Sequence, residues 1–362
     1  MRFQARRSLL SCRGGRGAAI RSDVFPLAFH LVTLDSVSRA EPPTTGRQPP
    51  TYALSTMWSQ GRFRGDRGEG DDMVAFAEAA ARLGFPAIEI NYAIPPDGVE
   101  ALLTNNHVDI VSLHSPTPRI KTANGKMSEA LNLASLDEDE RALAVERAHV
   151  TVDHAARVGA RYMVVHLGGI GSSVFEEERE LRRLYDKGER DGEPVEALRR
   201  RASMRRREEA PRFLPQARRS LEDIAAYAAA HDVAVGLENR YHYHEFPGID
   251  ELLDLLRGYP HELVGFWLDI GHAEVLDRLG LEFHHRWLNE LGSRCIGSHV
   301  HDVDGLADHR APGHGTADWD HYAAMLPRDI PRVFEINQKI DEDRVAAAIP
   351  FLRERGVLPA AE

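Results

Sequence analysis

Eight histidine and carboxylate side chains stand at or just after the ends of short apolar segments. Imidazoles and carboxylates without cysteine are typical ligands of Zn²⁺, Mn²⁺, Fe²⁺ or Co²⁺, and a pair of glutamates can also move protons as general acid and base. A single residue in such a place is more often a hydrogen-bonded structural group, but here the placement recurs on one segment after another. We therefore expect a divalent-metal site built from His114, His166, Glu238, Asp269, His272, His299, His309 and Glu335.

These side chains need elements that hold them together, and the surrounding sequence predicts such elements. After residue 50, short apolar segments alternate with longer ones whose apolar residues recur at i, i+3 and i+4, as in amphipathic helices. Short apolar strands followed by helices are typical of a parallel sheet buried on both faces. The predicted strands are residues 52–56, 87–90, 109–113, 162–166, 234–238, 265–269, 296–301 and 332–335, and the predicted helices include 71–83, 140–158, 218–231, 250–257 and 345–353.

Eight strands with intervening helices predict an α/β fold, a single (β/α)₈ TIM barrel over residues 51–362. In this fold the C-terminal ends of all the strands meet at one mouth, where active sites form. The predicted metal ligands lie at that end of their strands, so the fold would bring them together. A doubly wound open sheet is the alternative, but the nucleotide-binding turn G-x-G-x-x-G follows none of the predicted strands.

One charged segment interrupts the barrel pattern after the fourth predicted strand. Residues 171–210 hold eleven acidic and eleven basic residues, and six arginines lie within residues 199–207. We interpret this segment as a helical insertion whose charges pair with one another at the surface. The alternative is a lid whose arginines bind a phosphate or an acidic substrate.

The charge distribution separates residues 1–50 from the rest of the chain. With 45 basic and 56 acidic residues the net charge is −11, whereas residues 1–50 carry eight arginines against three acidic residues, so the remainder carries −16. We expect residues 1–50 to be a disordered leader or a start codon assigned too early.

An apolar run long enough to span a membrane is not found, and we expect a cytoplasmic protein. Two cysteines, Cys12 and Cys295, provide no disulfide framework.

Five motifs in order along the chain resemble those of the xylose isomerase-like TIM barrel superfamily. They are L-E-N at Glu238, D-x-G-H at 269–272, H-x-x-D at 299–302, D-H-x-x-P-G-x-G at 308–315 and the terminal Glu335. The resemblance covers roughly residues 51–356. This superfamily contains sugar and sugar-phosphate isomerases and epimerases as well as endonuclease IV, so the resemblance implies two alternative activities.

In the isomerase and epimerase branch, the resemblance implies one divalent metal held by Glu238, Asp269, His299 and Glu335. The metal would polarise a substrate carbonyl or hydroxyl. The two glutamates would move a proton through an enediol-like intermediate, and His272 would hydrogen-bond the substrate. We take a metal-dependent isomerase or epimerase of a sugar or sugar phosphate as the leading hypothesis.

In the endonuclease IV branch, the resemblance implies a zinc cluster that hydrolyses a phosphodiester. The additional ligands would be His114, His166, His272 and His309, and their presence favours this branch. Against it, Ala307 stands where the branch has an aspartate, and we expect the adjacent Asp308 to point elsewhere. The acidic barrel makes nucleic acid an unfavourable partner. A small phosphodiester, as in the cobamide-remodelling hydrolases of this superfamily, would avoid this objection.

Three further residues are candidates for substrate binding. Arg240 follows Glu238 by two positions, and its alternative role is a salt bridge with Glu245 or Asp269. His301 shares a strand face with His299, and Lys339 lies just past the last strand.

A barrel that keeps a metal only for structure is the non-enzymatic alternative. The superfamily resemblance also makes a homo-oligomer possible, although no segment is identifiable as an interface.

Overall fold

Eight parallel strands close into a barrel in this computed structural model, which describes residues 52–64, 71–105 and 107–360. The predicted leader, residues 1–50, lies outside the described residues. Around the barrel the order is β1-β10-β7-β6-β5-β4-β3-β2, while β8 and β9 form a separate antiparallel pair. The strands are β1 (Tyr52–Ser55), β2 (Ala87–Ile90), β3 (Asp109–Ser115), β4 (Tyr162–Val165), β5 (Ala234–Glu238), β6 (Val264–Asp269), β7 (Cys295–Val300), β8 (Asp302–Asp304), β9 (Ala307–Arg310) and β10 (Arg332–Phe334).

Helices surround the barrel, and several begin at an aspartate whose side chain accepts hydrogen bonds from the first turn. Asp72, Asp137 and Asp341 cap the helices Met73–Arg82, Glu138–Val158 and Glu342–Glu354 in this way. Of the described helices, none is both long and apolar enough to cross a membrane. The α-helices are α1 (Met73–Arg82), α2 (Pro96–Leu103), α3 (Glu138–Val158), α4 (Glu176–Asp186), α5 (Glu193–Ala229), α6 (Ile249–Leu255), α7 (Ile270–Arg278), α8 (His284–Leu291), α9 (Trp319–Met325) and α10 (Glu342–Glu354).

The predicted (β/α)₈ barrel is confirmed, and each predicted strand has its counterpart with ends shifted by at most two residues. Trp267 fills the barrel interior, and its ring lies 5.5 Å from that of His299. Glycines on the two neighbouring strands make room for it: a Cβ at Gly297 would lie 2.1 Å from the indole, and one at Gly236 would lie 2.9 Å from it. The indole therefore forms a solid floor beneath the mouth of the barrel.

The charged insertion forms α4 and the first half of α5. Four of its arginines within residues 199–207 pair with glutamates. Arg206 is buried and reaches across to Glu251 and to the backbone carbonyl oxygen of Glu245 in the loop after β5. These contacts agree with the interpretation of the insertion as a salt-bridged excursion docked on the barrel.

Candidate active site

Four side chains from neighbouring strands converge at the C-terminal mouth of the barrel. Glu238, Asp269 and His299 come from β5, β6 and β7, and Glu335 directly follows β10. His299 Nδ1 lies 3.3 Å from Glu238 Oε1, 3.7 Å from Asp269 Oδ2 and 3.2 Å from Glu335 Oε2. All four side chains are buried, and one potential ligand atom of each lies within 4.8 Å of those of the others. The structure thus brings together the four residues on which the leading hypothesis depends.

A fourth carboxylate, which the sequence analysis did not identify, completes this arrangement. Glu89 on β2 is fully buried, and its Oε1 lies 3.0 Å from His299 Nε2. Ser112 Oγ donates to Glu89 Oε2 at 2.7 Å. A signal for Glu89 was present, because a charged residue inside a short, otherwise apolar strand of a sheet buried on both faces must have a polar partner.

Two more histidines lie on one side of Glu238. His114 Nε2 and His166 Nε2 are 2.9 Å and 2.8 Å from Glu238 Oε2. His114 Nδ1 is 3.1 Å from the carbonyl oxygen of Ser115 and donates to it, so the neutral ring turns an unprotonated Nε2 toward the carboxylate. Two acceptors facing each other at this distance need a proton or a metal cation between them. The ring of Tyr92 packs edge-on against both imidazoles.

A third group lies on the other side, around His272 and His309. Asp308 faces both: Oδ1 is 3.0 Å from His309 Nδ1, and Oδ2 is 3.8 Å from His272 Nε2. The expectation that Asp308 points elsewhere is therefore wrong. The cause is a turn of the chain, because His309 has a positive φ of 54° on the β8–β9 hairpin. Asp308 thus provides a carboxylate beside His272 and His309, which Ala307 cannot.

His301 is fully engaged within the protein. Its Nε2 lies 3.0 Å from both carboxylate oxygens of Asp269, and its Nδ1 accepts the backbone N–H of His309. The prediction that His301 binds substrate does not fit this geometry, since both ring nitrogens already have protein partners. Its position instead makes it a group that orients Asp269.

Burial and the histidines act in opposite directions on the carboxylates. Burial raises the pKa of Glu335, but His299 and His309 outweigh it and bring the pKa to about 2. For Glu238 and Asp269 burial again raises the pKa, yet the surrounding imidazoles hold each pKa well below its usual value. For His166, burial together with Arg240 lowers the pKa to about 3, so this imidazole is neutral at neutral pH. Ionised carboxylates and a neutral imidazole are the forms that bind metal ions.

The residues present fit a divalent cation. The carboxylates of Glu89, Glu238, Asp269 and Glu335 surround the single imidazole of His299 in a buried place. Repulsion among so many buried anions is relieved when a cation lies between them. Nitrogen and oxygen donors without thiolates suit Zn²⁺, Mn²⁺, Co²⁺ or Fe²⁺, and the flanking histidines form two further groups of potential ligands.

A cavity opens beside Glu238. It has a volume of about 160 Å³, and Tyr92, His166 and Arg240 contribute to its wall. Arg240 Nη2 donates to Glu245 at 3.1 Å, which confirms the predicted salt bridge with Glu245, whereas Nε and Nη1 are buried without a hydrogen-bond partner among the described residues. Lys339 is exposed after β10, and the hydrogen bonds and ion pairs of the described residues do not join its side chain to the cluster.

Comparisons with known proteins agree with this fold. A model of the family described as xylose isomerase-like TIM barrel matches residues 77–355. A search of curated proteins gives no match. Among solved structures, a D-tagatose 3-epimerase-like protein is 18% identical with a TM-score of 0.56 and covers 84% of this chain and 96% of its own. The D-psicose 3-epimerase of Clostridium cellulolyticum H10 is 15% identical with a TM-score of 0.57, over 84% of this chain and 99% of its own.

A third solved structure extends the comparison to another sugar reaction. The 3-keto-D-glucoside 4-epimerase of E. coli is 14% identical with a TM-score of 0.56, over 84% of this chain and 99% of its own. Identities this low show a common fold, and the reaction has to be inferred from the residues of the site. The match to the family model covers most of the chain, and the chain therefore belongs to the xylose isomerase-like TIM barrel family.

Proposed function

We propose that this protein is a divalent-metal-dependent isomerase or epimerase acting on a sugar or sugar phosphate. The observation that carries the proposal is the convergence of Glu238, Asp269, His299 and Glu335 around one point in the barrel mouth. The structures of similar fold include proteins named as sugar epimerases, which supports a small carbohydrate as the substrate. A cytoplasmic location and a homo-oligomer stay predictions.

In this reaction the two glutamates would move a proton at a substrate carbon. Glu238 and Glu335 stand on strands separated by two others, and each lies within 3.3 Å of His299 Nδ1. Both carboxyls have a lowered pKa and so are ionised at neutral pH, ready to accept a proton. One ionised glutamate takes the proton from the carbon; the other first takes up a proton from solvent and then donates it to the carbon. A divalent metal bound among these residues would polarise the neighbouring carbonyl or hydroxyl.

We infer that two further side chains hold the substrate. His272 Nδ1 donates to the carbonyl oxygen of Asn239 at 2.9 Å, which leaves Nε2 for a substrate hydroxyl. Arg240 has buried N–H groups without acceptors, and a substrate oxygen in the adjacent cavity would provide one. Burial raises the pKa of Tyr92 to about 12, so its hydroxyl stays protonated as a donor beside the same cavity.

Turnover in heavy water tests the proposal directly. The full chain, loaded with Mn²⁺ or Co²⁺, is incubated with aldose–ketose and epimer pairs, free and phosphorylated, in D₂O. Proton transfer at carbon predicts interconversion together with one carbon-bound deuterium, detected by mass spectrometry. Glu335→Gln should abolish both signals, whereas Glu354→Gln, which changes an exposed glutamate, should retain them. Absence of turnover and exchange over the whole panel would refute the proposal.

A second candidate function is hydrolysis of a small phosphodiester by a metal cluster. The observation in its favour is the pair of flanking groups, one of His114, His166 and Glu238, the other of His272, Asp308 and His309. Such groups would hold additional ions, which would stabilise the attacking and the leaving oxygen. The test compares the metal content of the wild type with that of His166→Gln. Loss of one equivalent together with loss of activity on bis-(p-nitrophenyl) phosphate supports the hydrolase, and an unchanged content supports the isomerase.

A further inference from the structure

A second group of histidines lies away from the barrel mouth, between the helices that follow β6 and β7. His284 and His285 begin α8, and Asp318 caps α9. Asp318 Oδ2 lies 3.0 Å from His285 Nε2 and 3.6 Å from His284 Nε2. The three potential ligand atoms lie within 4.8 Å of one another. Nothing in the proposed reaction uses these residues.

The orientation of His284 is fixed by a carboxylate behind it. Nδ1 makes a short hydrogen bond to Asp277 Oδ2, so in the neutral ring Nε2 carries the lone pair. This Nε2 is buried and has no hydrogen-bond partner among the described residues. A carboxylate that holds the far nitrogen and leaves the near one free is the usual arrangement around a metal-binding histidine.

We propose that His284 Nε2, His285 Nε2 and Asp318 Oδ2 form a binding site for one divalent transition-metal ion of the Zn²⁺, Co²⁺ or Ni²⁺ class. Tetrahedral zinc with ligands at ~2.0–2.1 Å holds its ligand atoms roughly 3.3 Å apart. The separations of 3.0 Å and 3.6 Å lie on either side of that value. Imidazole nitrogens also favour these ions over Mg²⁺ or Ca²⁺.

One more histidine stands next to this site. The ring of His321 on α9 lies 4.2 Å from that of His285, and its buried Nε2 has no hydrogen-bond partner among the described residues. It is placed to provide the fourth ligand after a small rotation of its side chain, and a water molecule can take that position otherwise. The proposed set is therefore two imidazoles and one carboxylate, with His321 or a water molecule as the fourth ligand.

The site would join the start of α8 to Asp318, the residue that caps α9. Asp318 also receives support from α7, because its backbone N–H donates to Glu274 Oε1 at 2.9 Å. A cation at this place would tie α8 and α9 together and would bind the folded state only. Binding of this kind raises the melting temperature as the free metal concentration increases.

Metal titration of the stripped full chain tests the proposal. The wild type is freed of metal with a chelator and titrated with Zn²⁺, and with Co²⁺ for its visible absorption. His285→Gln changes a side chain that is 53% exposed, so folding should survive. We expect this variant to bind one equivalent fewer than the wild type and to lose part of the zinc-dependent rise in Tm. His261→Gln, which changes another exposed histidine at 56%, is the matched control and should bind as the wild type does.

The same titration in Glu335→Gln separates this site from the barrel mouth. The equivalent that depends on His285 should remain in Glu335→Gln, whatever happens to metal at the mouth. Equal metal content and equal zinc-dependent Tm in the wild type and His285→Gln would overturn the proposal. In that event the group is a protonated His284 held between Asp277 and Asp318, with no cation bound.

Discussion

His299 lies between Glu89 and the carboxylates of Glu238 and Glu335, with Nε2 3.0 Å from Glu89 Oε1. Both side chains are completely buried. A carboxylate accepts only, so Nε2 carries the hydrogen for Glu89, and with a cation bound among Glu238 and Glu335 the Nδ1 atom would present its lone pair to that cation. Glu89 therefore determines which nitrogen of His299 is available to a cation.

Glu89→Gln should weaken metal binding at the mouth about 10–100-fold, the usual effect of losing a carboxylate behind a metal-binding histidine. The amide keeps the shape of the side chain but lacks the charge that increases the basicity of the imidazole. Titration of the stripped protein with Mn²⁺ measures the change in Kd. Glu78→Gln, at an exposed glutamate, is the control. An unchanged Kd in folded Glu89→Gln would show that Glu89 has no such role.

Gly271→Ala should disrupt the site through His301. A Cβ at Gly271 would lie 2.0 Å from His301 Cε1, so the ring must move away from Asp269. Forcing an additional carbon into a packed place costs about 1–3 kcal/mol of the free energy of unfolding. We expect a loss of this size in urea denaturation and at least about tenfold weaker metal binding, since Asp269 loses the group that orients it.

The matched control for this change is Gly258→Ala. A Cβ at Gly258 would meet nothing within 4 Å, and its φ is not in the left-handed region. This variant should keep the stability and the metal affinity of the wild type. Equal behaviour of the two glycine variants would mean that the close contact with His301 does not matter.

The contact between Gly271 and His301 explains why the D-x-G-H motif at 269–272 has a glycine, which the sequence alone did not explain. The strands were predictable because barrel strands buried on both faces leave short apolar runs, and these ends positioned Glu238, Asp269, His299 and Glu335. Glu89 was missed because one acidic residue within 87–90 did not break the apolar run. Asp308 was misjudged because its direction depends on the positive φ of the next residue, which a sequence does not display.

The long helix α5 shows a different limit. The periodic pattern predicted a helix over 218–231, but the structure begins it at Glu193 and continues through Pro211 and Pro215. Proline in a helix interior normally ends or bends the helix, so the sequence favoured two separate elements. Tertiary contacts decide otherwise, because Arg206 and the buried face of the insertion dock this segment on the barrel.

Glu282 should make the stability of the protein depend on pH. Burial raises the pKa of this carboxyl to about 7 and outweighs the attraction of Arg286, which lies 2.8 Å away. A raised pKa in the folded state adds stability that is complete below the unfolded pKa of about 4.5 and is lost as the pH rises toward 7. The loss is at most about 3 kcal/mol.

Urea denaturation at pH 4.5 and pH 8 measures the contribution of Glu282 to the free energy of unfolding. Glu282→Gln should reduce the fall in the free energy of unfolding between the two pH values by about 2–3 kcal/mol. Glu262→Gln, whose side chain is 65% exposed in the wild type, should leave the fall unchanged. The idea fails when Glu282→Gln and the wild type lose the same stability over this range.

Arg240→Lys should impair substrate binding more than protein stability. The lysine keeps a positive charge beside Glu245, but it lacks the forked N–H groups of which Nε and Nη1 are buried without an acceptor among the described residues. Hydrogen bonds from a charged donor are worth about 1.5–3 kcal/mol, so kcat/KM should fall roughly 10–100-fold, mainly through KM. Arg257→Lys, at a side chain that is 77% exposed, is the control. A normal KM in Arg240→Lys would place the substrate elsewhere than in the cavity beside Glu238.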